Sequence, residues 1–232
     1  MISRRPALMV LALAMLAAPL MSKTAEAKTD WTTTIAATPE GGIRIGNPAA
    51  KIRIVEFASY TCGHCKAFHE EGLPALKAKY ISTGNVSFEQ RSFVRNGPDF
   101  AASLLVACQP AVPALAMAGK LFAEQEKWSQ PFIDMTAAQN QAITAMPQAQ
   151  QPAKLAEIAG LDTWAAARGL PLPKARACLA DKAAQDKLIA IRNDAMTNYK
   201  LEGTPTFGIN GVPVPGVYDW ASFEPKLRAM LK

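Results

Sequence analysis

Tyr60-Thr61-Cys62-Gly63-His64-Cys65 stands where a strand pattern gives way to a helix pattern. Before it, Lys51-Ile52-Arg53-Ile54-Val55-Glu56-Phe57 alternates and is rich in β-branched side chains, as a strand is. After it, Phe68, Leu73, Leu76 and Tyr80 recur at the spacing of one helix face. A cysteine at a helix start meets unpaired backbone N–H groups and the positive end of the helix dipole. Both favour thiolate over thiol, so Cys62 is placed to be an ionised, nucleophilic sulfur near neutral pH. The chemistry this implies is thiol–disulfide exchange. A zinc site built from the two cysteines with His64 or His69 lacks a second ligand pair at the usual spacing, and an inert short-loop disulfide is the other alternative.

The first residues set the compartment. Arg4 and Arg5 precede an apolar run from Ala7 to Leu20, and Ala25-Glu26-Ala27 offers a small-residue cleavage site. The run is shorter than the ~20 residues needed to span a bilayer. Residues 1–27 are therefore expected to be a cleaved signal peptide, with the mature chain exported to the periplasm. Those residues hold three basic side chains and one acidic, so their removal takes the net charge from +6 to +4. With so mild a charge and no run of like charges, neither nucleic acid nor a membrane surface is expected as a partner. All four cysteines, Cys62, Cys65, Cys108 and Cys178, lie beyond residue 27. An even count in an exported chain favours disulfides. Four are too few to staple a chain this long, so a core must hold it.

Trp31-Thr32-Thr33-Thr34-Ile35 reads as a short strand, with Gly41-Gly42 and Asn47-Pro48 as turns. Pro74 should kink or break the helix that bears the cysteines. Val86 to Val94 reads as a second core strand, and with a helix between them the two strands should run parallel. From residue 98 to about 199 alanine dominates. Pro110, Pro113, Pro131, Pro147, Pro171 and Pro173 divide this stretch into short helices. A longer helix is expected from Asp181 to Tyr199. Strand character returns at Thr204 to Ile209, followed by the hairpin turn Asn210-Gly211 and by Val212 to Val214. Asp219 to Leu231 closes the chain as a helix capped by Asp219.

Strand, Cys-x-x-Cys at a helix start, strand, then a hairpin introduced by Thr204-Pro205 resembles the thioredoxin fold. The long helical stretch before the hairpin is similar to the DsbA-like thiol:disulfide oxidoreductases. Three signatures carry this resemblance: Glu56-Phe57 ahead of Cys62, the motif Cys62-Gly63-His64-Cys65, and Gly203-Thr204-Pro205-Thr206-Phe207 followed by Asn210-Gly211. It implies an α/β protein, a central mixed sheet flanked by helices, with a thioredoxin-like domain at 28–97 plus 182–232 and an all-helical insertion at 98–181.

The resemblance also implies roles. Cys62, exposed at the helix start, would exchange with substrate, and Cys65, packed inward, would be its partner. His64 would stabilise the Cys62 thiolate through its ring. Glu56 would be a buried acid serving Cys65 with protons. Thr204 and a cis Pro205 would face the disulfide and bind an extended substrate. His69 reads as a surface helix residue without a role. Apart from the resemblance, Cys108 and Cys178 lie near the two ends of the helical stretch and are expected to form a structural or modulatory disulfide closing about 70 residues, with two free buried thiols as the alternative.

No metal and no cofactor is implied. The partners implied are reduced or unfolded exported polypeptides and a quinone-linked membrane protein that reoxidises the pair, with the chain acting as a monomer. A dithiol oxidase is the expected activity. Gly63-His64 and Thr204 are more usual in isomerases, so isomerase or reductase remains the rival, and a non-redox chaperone or peptide-binding module is the alternative of another class. The family's isomerases carry an N-terminal dimerisation domain, for which about 20 residues ahead of the main strand leave no room.

Overall fold

The computed structural model describes residues 29–231. The expected signal peptide, residues 1–27, lies outside them. No described helix is long and apolar enough to cross a membrane.

The central strand β3 (Ile52–Ala58) is exposed only at Arg53, because it is covered on both faces. It runs parallel to β4 (Val86–Ser92), with Glu56 opposite Gln90. On its other side it pairs antiparallel with β5 (Thr206–Ile209), and β5 pairs with β6 (Val212–Val214). The far edge is a hairpin of β1 (Ile35–Ala37) and β2 (Ile43–Gly46), giving the order β1-β2-β4-β3-β5-β6. Asn210 (φ 51°) and Gly211 (φ 83°) form the left-handed turn between β5 and β6. The Asn210 side chain accepts from the Arg53 N–H and donates to the Lys51 carbonyl, tying that turn to the start of β3.

Two expectations near the N-terminal end are corrected. Trp31–Thr33 is a single 3-10 turn, and the strand begins only at Ile35. Asp30 accepts from the Thr32 N–H and hydroxyl, and the Thr33 hydroxyl donates back to the Asp30 carbonyl. Such local side-chain bonds compete with a strand ladder. Ile43–Gly46, hidden behind the Gly41-Gly42 turn signal, is a strand in its own right.

The crossover from β3 to β4 is α1 (Gly63–Ala67), a π-helical turn (Phe68–Gly72) and α2 (Leu73–Lys79). The break foreseen at Pro74 thus begins six residues earlier. Pro74 has no N–H for an α-type bond and its ring crowds the carbonyl one turn back, which the wider π turn relieves. The widening also brings two successive residues, Phe68 and His69, inward.

Between β4 and α10 (Lys182–Asn198) lie seven helices: α3 (Gly97–Ala107), α4 (Ala111–Ala123), α5 (Gln125–Ile133), α6 (Ala137–Thr144), α7 (Gln151–Ile158), α8 (Leu161–Ala166) and α9 (Leu172–Leu179). Fully buried alanines, among them Ala101, Ala118, Ala156, Ala165 and Ala175, let these short helices approach closely. Cys108, after α3, is joined to Cys178 on α9 by a disulfide. Asp181 caps α10 by accepting from the N–H groups of Ala183 and Ala184.

Two cores flank the sheet. Ile54, Phe88 and Phe207 meet Phe68, Leu76, Phe223 and Leu227 on α1–α2 and α11 (Trp220–Met230), with Phe207 and Phe223 stacked at 4.4 Å. Val55 and Phe57 face the other way, into α10 and the helical region. The cysteine loop sits at the C-terminal end of β3, where the two cores meet.

Candidate active site

Cys62 is the N-cap of α1, with extended backbone (φ −103°, ψ 121°) and no capping bond from its side chain. The N–H groups of the first turn are therefore left for the sulfur. The Cys62 thiol is lowered from 9.0 to about 5. The largest cause is the Cys65 thiol donating to it. Burial opposes ionisation, while the Thr204 hydroxyl and the backbone N–H groups of Cys65 and His64 support it. The neutral thiol instead donates to the Thr204 carbonyl oxygen at 3.1 Å, a bond that ionisation gives up.

Cys62 is only 4% exposed, which corrects the expectation of an open sulfur. The Thr204–Pro205 segment, whose peptide bond is cis, lies against it. Thr204 is buried, and its Oγ1 accepts from Arg95 Nη1 at 3.3 Å. Cys65 is fully buried, and burial first, then its bond to Cys62 and the charge of Glu56, push its thiol well above 9.0. The two sulfurs are thus chemically unequal.

His64 is exposed, and its ring makes no hydrogen bond among the described residues. Its backbone N–H helps the Cys62 thiolate, while the ring, from which help was expected, makes no hydrogen bond to that sulfur. The ring's charge is felt at Asp219, whose carboxyl is kept low mainly by hydrogen bonds from Ser222. Glu56 is fully buried, with Oε2 2.8 Å from His69 Nε2 and Oε1 without a protein partner. His69 is therefore not a surface residue: its side chain is 5% exposed. The π turn rotates it inward, where its ring stacks on Phe122 at 4.1 Å.

Two further residues hold the loop in place without having been singled out from the sequence. Asp99 is fully buried at the start of α3, accepting from the N–H groups of Tyr60 (2.8 Å) and Arg95 (2.9 Å). Burial raises its carboxyl from 3.8 to about 6 against those bonds. The signal that could have marked it is Asn96-x-x-Asp99 ahead of an apolar run, since Asn96 does cap α3 by accepting from the Asp99 N–H. Gln125, at the start of α5, donates its side-chain amide to the carbonyls of Tyr60 (2.8 Å) and Cys62 (3.1 Å). No local pattern announces it. Tyr60 itself is buried, and its hydroxyl accepts from Gln90 Nε2 at 3.1 Å.

A strand, a Cys-x-x-Cys helix start, a parallel strand and a cis-proline hairpin are now all in place around one buried acid. The sequence matches the thioredoxin family over residues 38–229. The chain belongs to that family. Among solved thioredoxin-fold structures, the protein-disulfide isomerase from Novosphingobium aromaticivorans is 34% identical, with a TM-score of 0.78 over 83% of this chain and 98% of that one. The alpha-DsbA1 of Wolbachia pipientis is 23% identical, with a TM-score of 0.65 over 84% of this chain and 92% of that one; it bears on the fold alone. A curated relative from Rickettsia bellii is 28% identical over 174 residues, 75% of this chain. One from Rickettsia felis is 27% identical over 171 residues. Both names give protein-disulfide oxidoreductase as a provisional function. The thioredoxin-family chain spans only 58% and 52% of these two relatives' own length.

Proposed function

We propose that the chain is a thiol:disulfide oxidoreductase, a dithiol oxidase that donates a Cys62–Cys65 disulfide to reduced exported polypeptides in the periplasm. The observation that carries this reading is the placement of the two sulfurs: Cys62 is the N-cap of α1 beside the cis Thr204–Pro205 bond, and Cys65 is fully buried one turn on, so the first thiol is lowered and the second raised. A substrate thiolate attacks Cys62 Sγ, the Cys62–Cys65 bond breaks, and its electron pair leaves on Cys65, which takes up a proton. A second substrate thiolate then attacks the substrate sulfur of the mixed disulfide and releases Cys62 as a thiolate. A stabilised leaving thiolate speeds that release, and a stabilised reduced form makes the oxidised protein a strong oxidant.

In this reading Glu56 serves Cys65 with protons, and the Thr204–Pro205 loop receives the substrate beside Cys62. The chain works as a monomer, and a quinone-linked membrane protein restores the disulfide. The exchange itself needs neither metal nor organic cofactor. The names of the rickettsial relatives support oxidoreductase activity. The name of the Novosphingobium protein favours isomerase as the second reading, as do Gly63-His64 and Thr204.

Redox equilibration of the Cys62–Cys65 couple with glutathione separates the readings. An oxidase is expected near about −120 mV, an isomerase near about −180 mV, and a value near about −270 mV would replace both with a reductase. Cys62→Ser should abolish exchange and mixed-disulfide trapping; unchanged activity in that variant, with no mixed disulfide trapped, would favour a binding module.

A further inference from the structure

Beneath the cysteines lies a buried pair whose second member has no part in the exchange as written. Glu56 and the ring of His69 are 0% and 5% exposed and lie 2.8 Å apart. The imidazole is walled in by aromatic rings, stacked on Phe122 and edge-on to Phe68 and Phe88 at 5.9 and 6.4 Å. Glu56 Oε1 and Gln90 Oε1 have no protein donor, and these two residues are register partners on β3 and β4. Leaving a buried polar atom unpaired is costly, because it has given up its hydrogen bonds to water. A proton carried on Glu56 would give Oε1 a hydrogen to donate in that place.

Cys65 is where such a proton is needed. Its sulfur is fully buried and feels the charge of Glu56, so a lasting thiolate there is strongly disfavoured. Cys65 and His69 are one turn apart, and the π turn brings His69 under the sheet on the Glu56 side. Imidazole is the side chain that loads and unloads protons near neutral pH.

We propose that Glu56 and His69 act as one proton-holding pair, Glu56 delivering a proton to Cys65 when the disulfide opens and His69 reloading Glu56. This rests on the exchange reading above. The step balances. The substrate thiolate forms a bond to Cys62 Sγ, the Cys62–Cys65 electron pair goes to Cys65 Sγ, the Glu56 proton goes to that sulfur, and the pair recovers one proton from solvent through His69. Reversed, the pair receives the Cys65 proton as Cys65 attacks. His69 is thus a positioning residue that acts through Glu56.

The other charged groups around the pair are paired or turned away. On β4, Glu89 is joined to Arg91, and strand alternation puts both on the opposite face from Phe88. Arg53 on β3 and Lys120 on α4 are exposed, and Lys66 on α1 is held by Glu126 on α5. Glu70 and Glu71, on the π turn itself, point outward and are exposed. On the cysteine side the titratable neighbours are Cys62, Cys65 and Tyr60, with Asp99 beyond Tyr60.

The chain has only two histidines, so imidazole nitrogen NMR of the intact protein reads His69 directly, with His64 as the internal comparison. The His69 titration should shift between the oxidised and the reduced protein, and Glu56→Gln should remove that difference. In single-turnover opening of the disulfide by a dithiol, His69→Gln should slow the step by about tenfold or more at high pH and flatten its pH profile. A positioned acid is worth about 10²–10⁴-fold in full, and Glu56 is still present in this variant. The Cys62 thiolate titration should stay where it is. Identical His69 titrations in both redox forms would overturn the pair, as would an unaltered pH profile in His69→Gln. If that variant fails to fold, the wild-type NMR comparison decides alone. Absence of exchange in the wild-type chain would instead remove the exchange reading, and the relay with it.

Discussion

The side-chain amide of Gln125 lies 3.1 Å from the carbonyl oxygen of Cys62, so a helix some sixty residues downstream holds the reactive residue by its own backbone. The same nitrogen donates to the Tyr60 carbonyl at 2.8 Å, clamping both ends of the turn that presents the sulfur.

Gln125→Ala should therefore do more than remove one contact. The Tyr60 carbonyl loses its donor, while the Cys62 carbonyl keeps only the Lys66 N–H, and an unpaired buried acceptor costs about 1–3 kcal/mol. With the turn free to shift, the N–H groups of His64 and Cys65 no longer converge on Cys62. Urea denaturation should show the loss of stability, and the thiolate absorbance of Cys62 should titrate at higher pH than in the wild type. An unchanged titration would mean that the clamp is structural only.

Asp99 makes the second clamp, and its substitution has a defined sign with pH. Its carboxyl titrates at about 6 in the folded chain against 3.8 ordinarily. The folded state therefore holds the proton more tightly than the unfolded state does. That contribution to stability is fully present below pH 3.8 and is lost as pH rises through about 6. Asp99→Asn should flatten the stability profile across this window. It should also cost about 1–3 kcal/mol at neutral pH, because one of the two backbone donors from Tyr60 and Arg95 then faces an amide N–H₂. Thermal melts across the window would show both effects.

What could be read from the sequence alone was what is local. Asn210-Gly211 forms the turn its φ preferences require, Asp181 and Asp219 cap the helices they precede, and Cys62 heads a helix because the strand pattern ends beside it. The errors share a cause, which is contact at a distance or a break in period. His69 follows Phe68 directly, so a 3.6-residue period that buries one exposes the other; the π turn ahead of Pro74 buries both. The cover over Cys62 comes from Thr204, 142 residues away, and Gln125 reaches its carbonyl from 63. A polar residue in a helix of its own gives no sign that its partner is another segment's backbone.

The Cys108–Cys178 disulfide spans 70 residues and ties the end of α3 to α9. Opening a loop of that length releases unfolded-chain entropy, so replacing both cysteines by alanine should cost about 2–4 kcal/mol. The disulfide joins α3 to α9, away from the residues that hydrogen-bond the Cys62 loop, and exchange by the folded variant should proceed at the wild-type rate. Mass analysis of the denatured wild type without reductant should find these two thiols blocked to alkylation. Four free thiols would show that the bridge is absent in solution.

In the proposed exchange, the thiolate of Cys62 sets the working pH range. With a thiol at about 5, its alkylation rate should be flat above pH 6 and fall tenfold per unit below pH 5. In the unfolded chain the same thiol titrates near 9.0, so the ionised sulfur stabilises the reduced folded state. That stabilisation is full above pH 9, shrinks as pH falls, and is gone below pH 5, whereas the disulfide form has no such dependence. The reduced protein should therefore gain stability over the oxidised protein as pH rises between those limits, and paired denaturation curves at several pH values would measure it. Thr204→Val should compress the effect from the low end, since it removes one hydroxyl donor and moves the Cys62 midpoint upward. A reduced form whose advantage does not grow with pH, or a Cys62 midpoint near 9.0, would mean that helix start, Cys65 and Thr204 do not hold the charge together, and the proposed oxidase reading would lose its driving force.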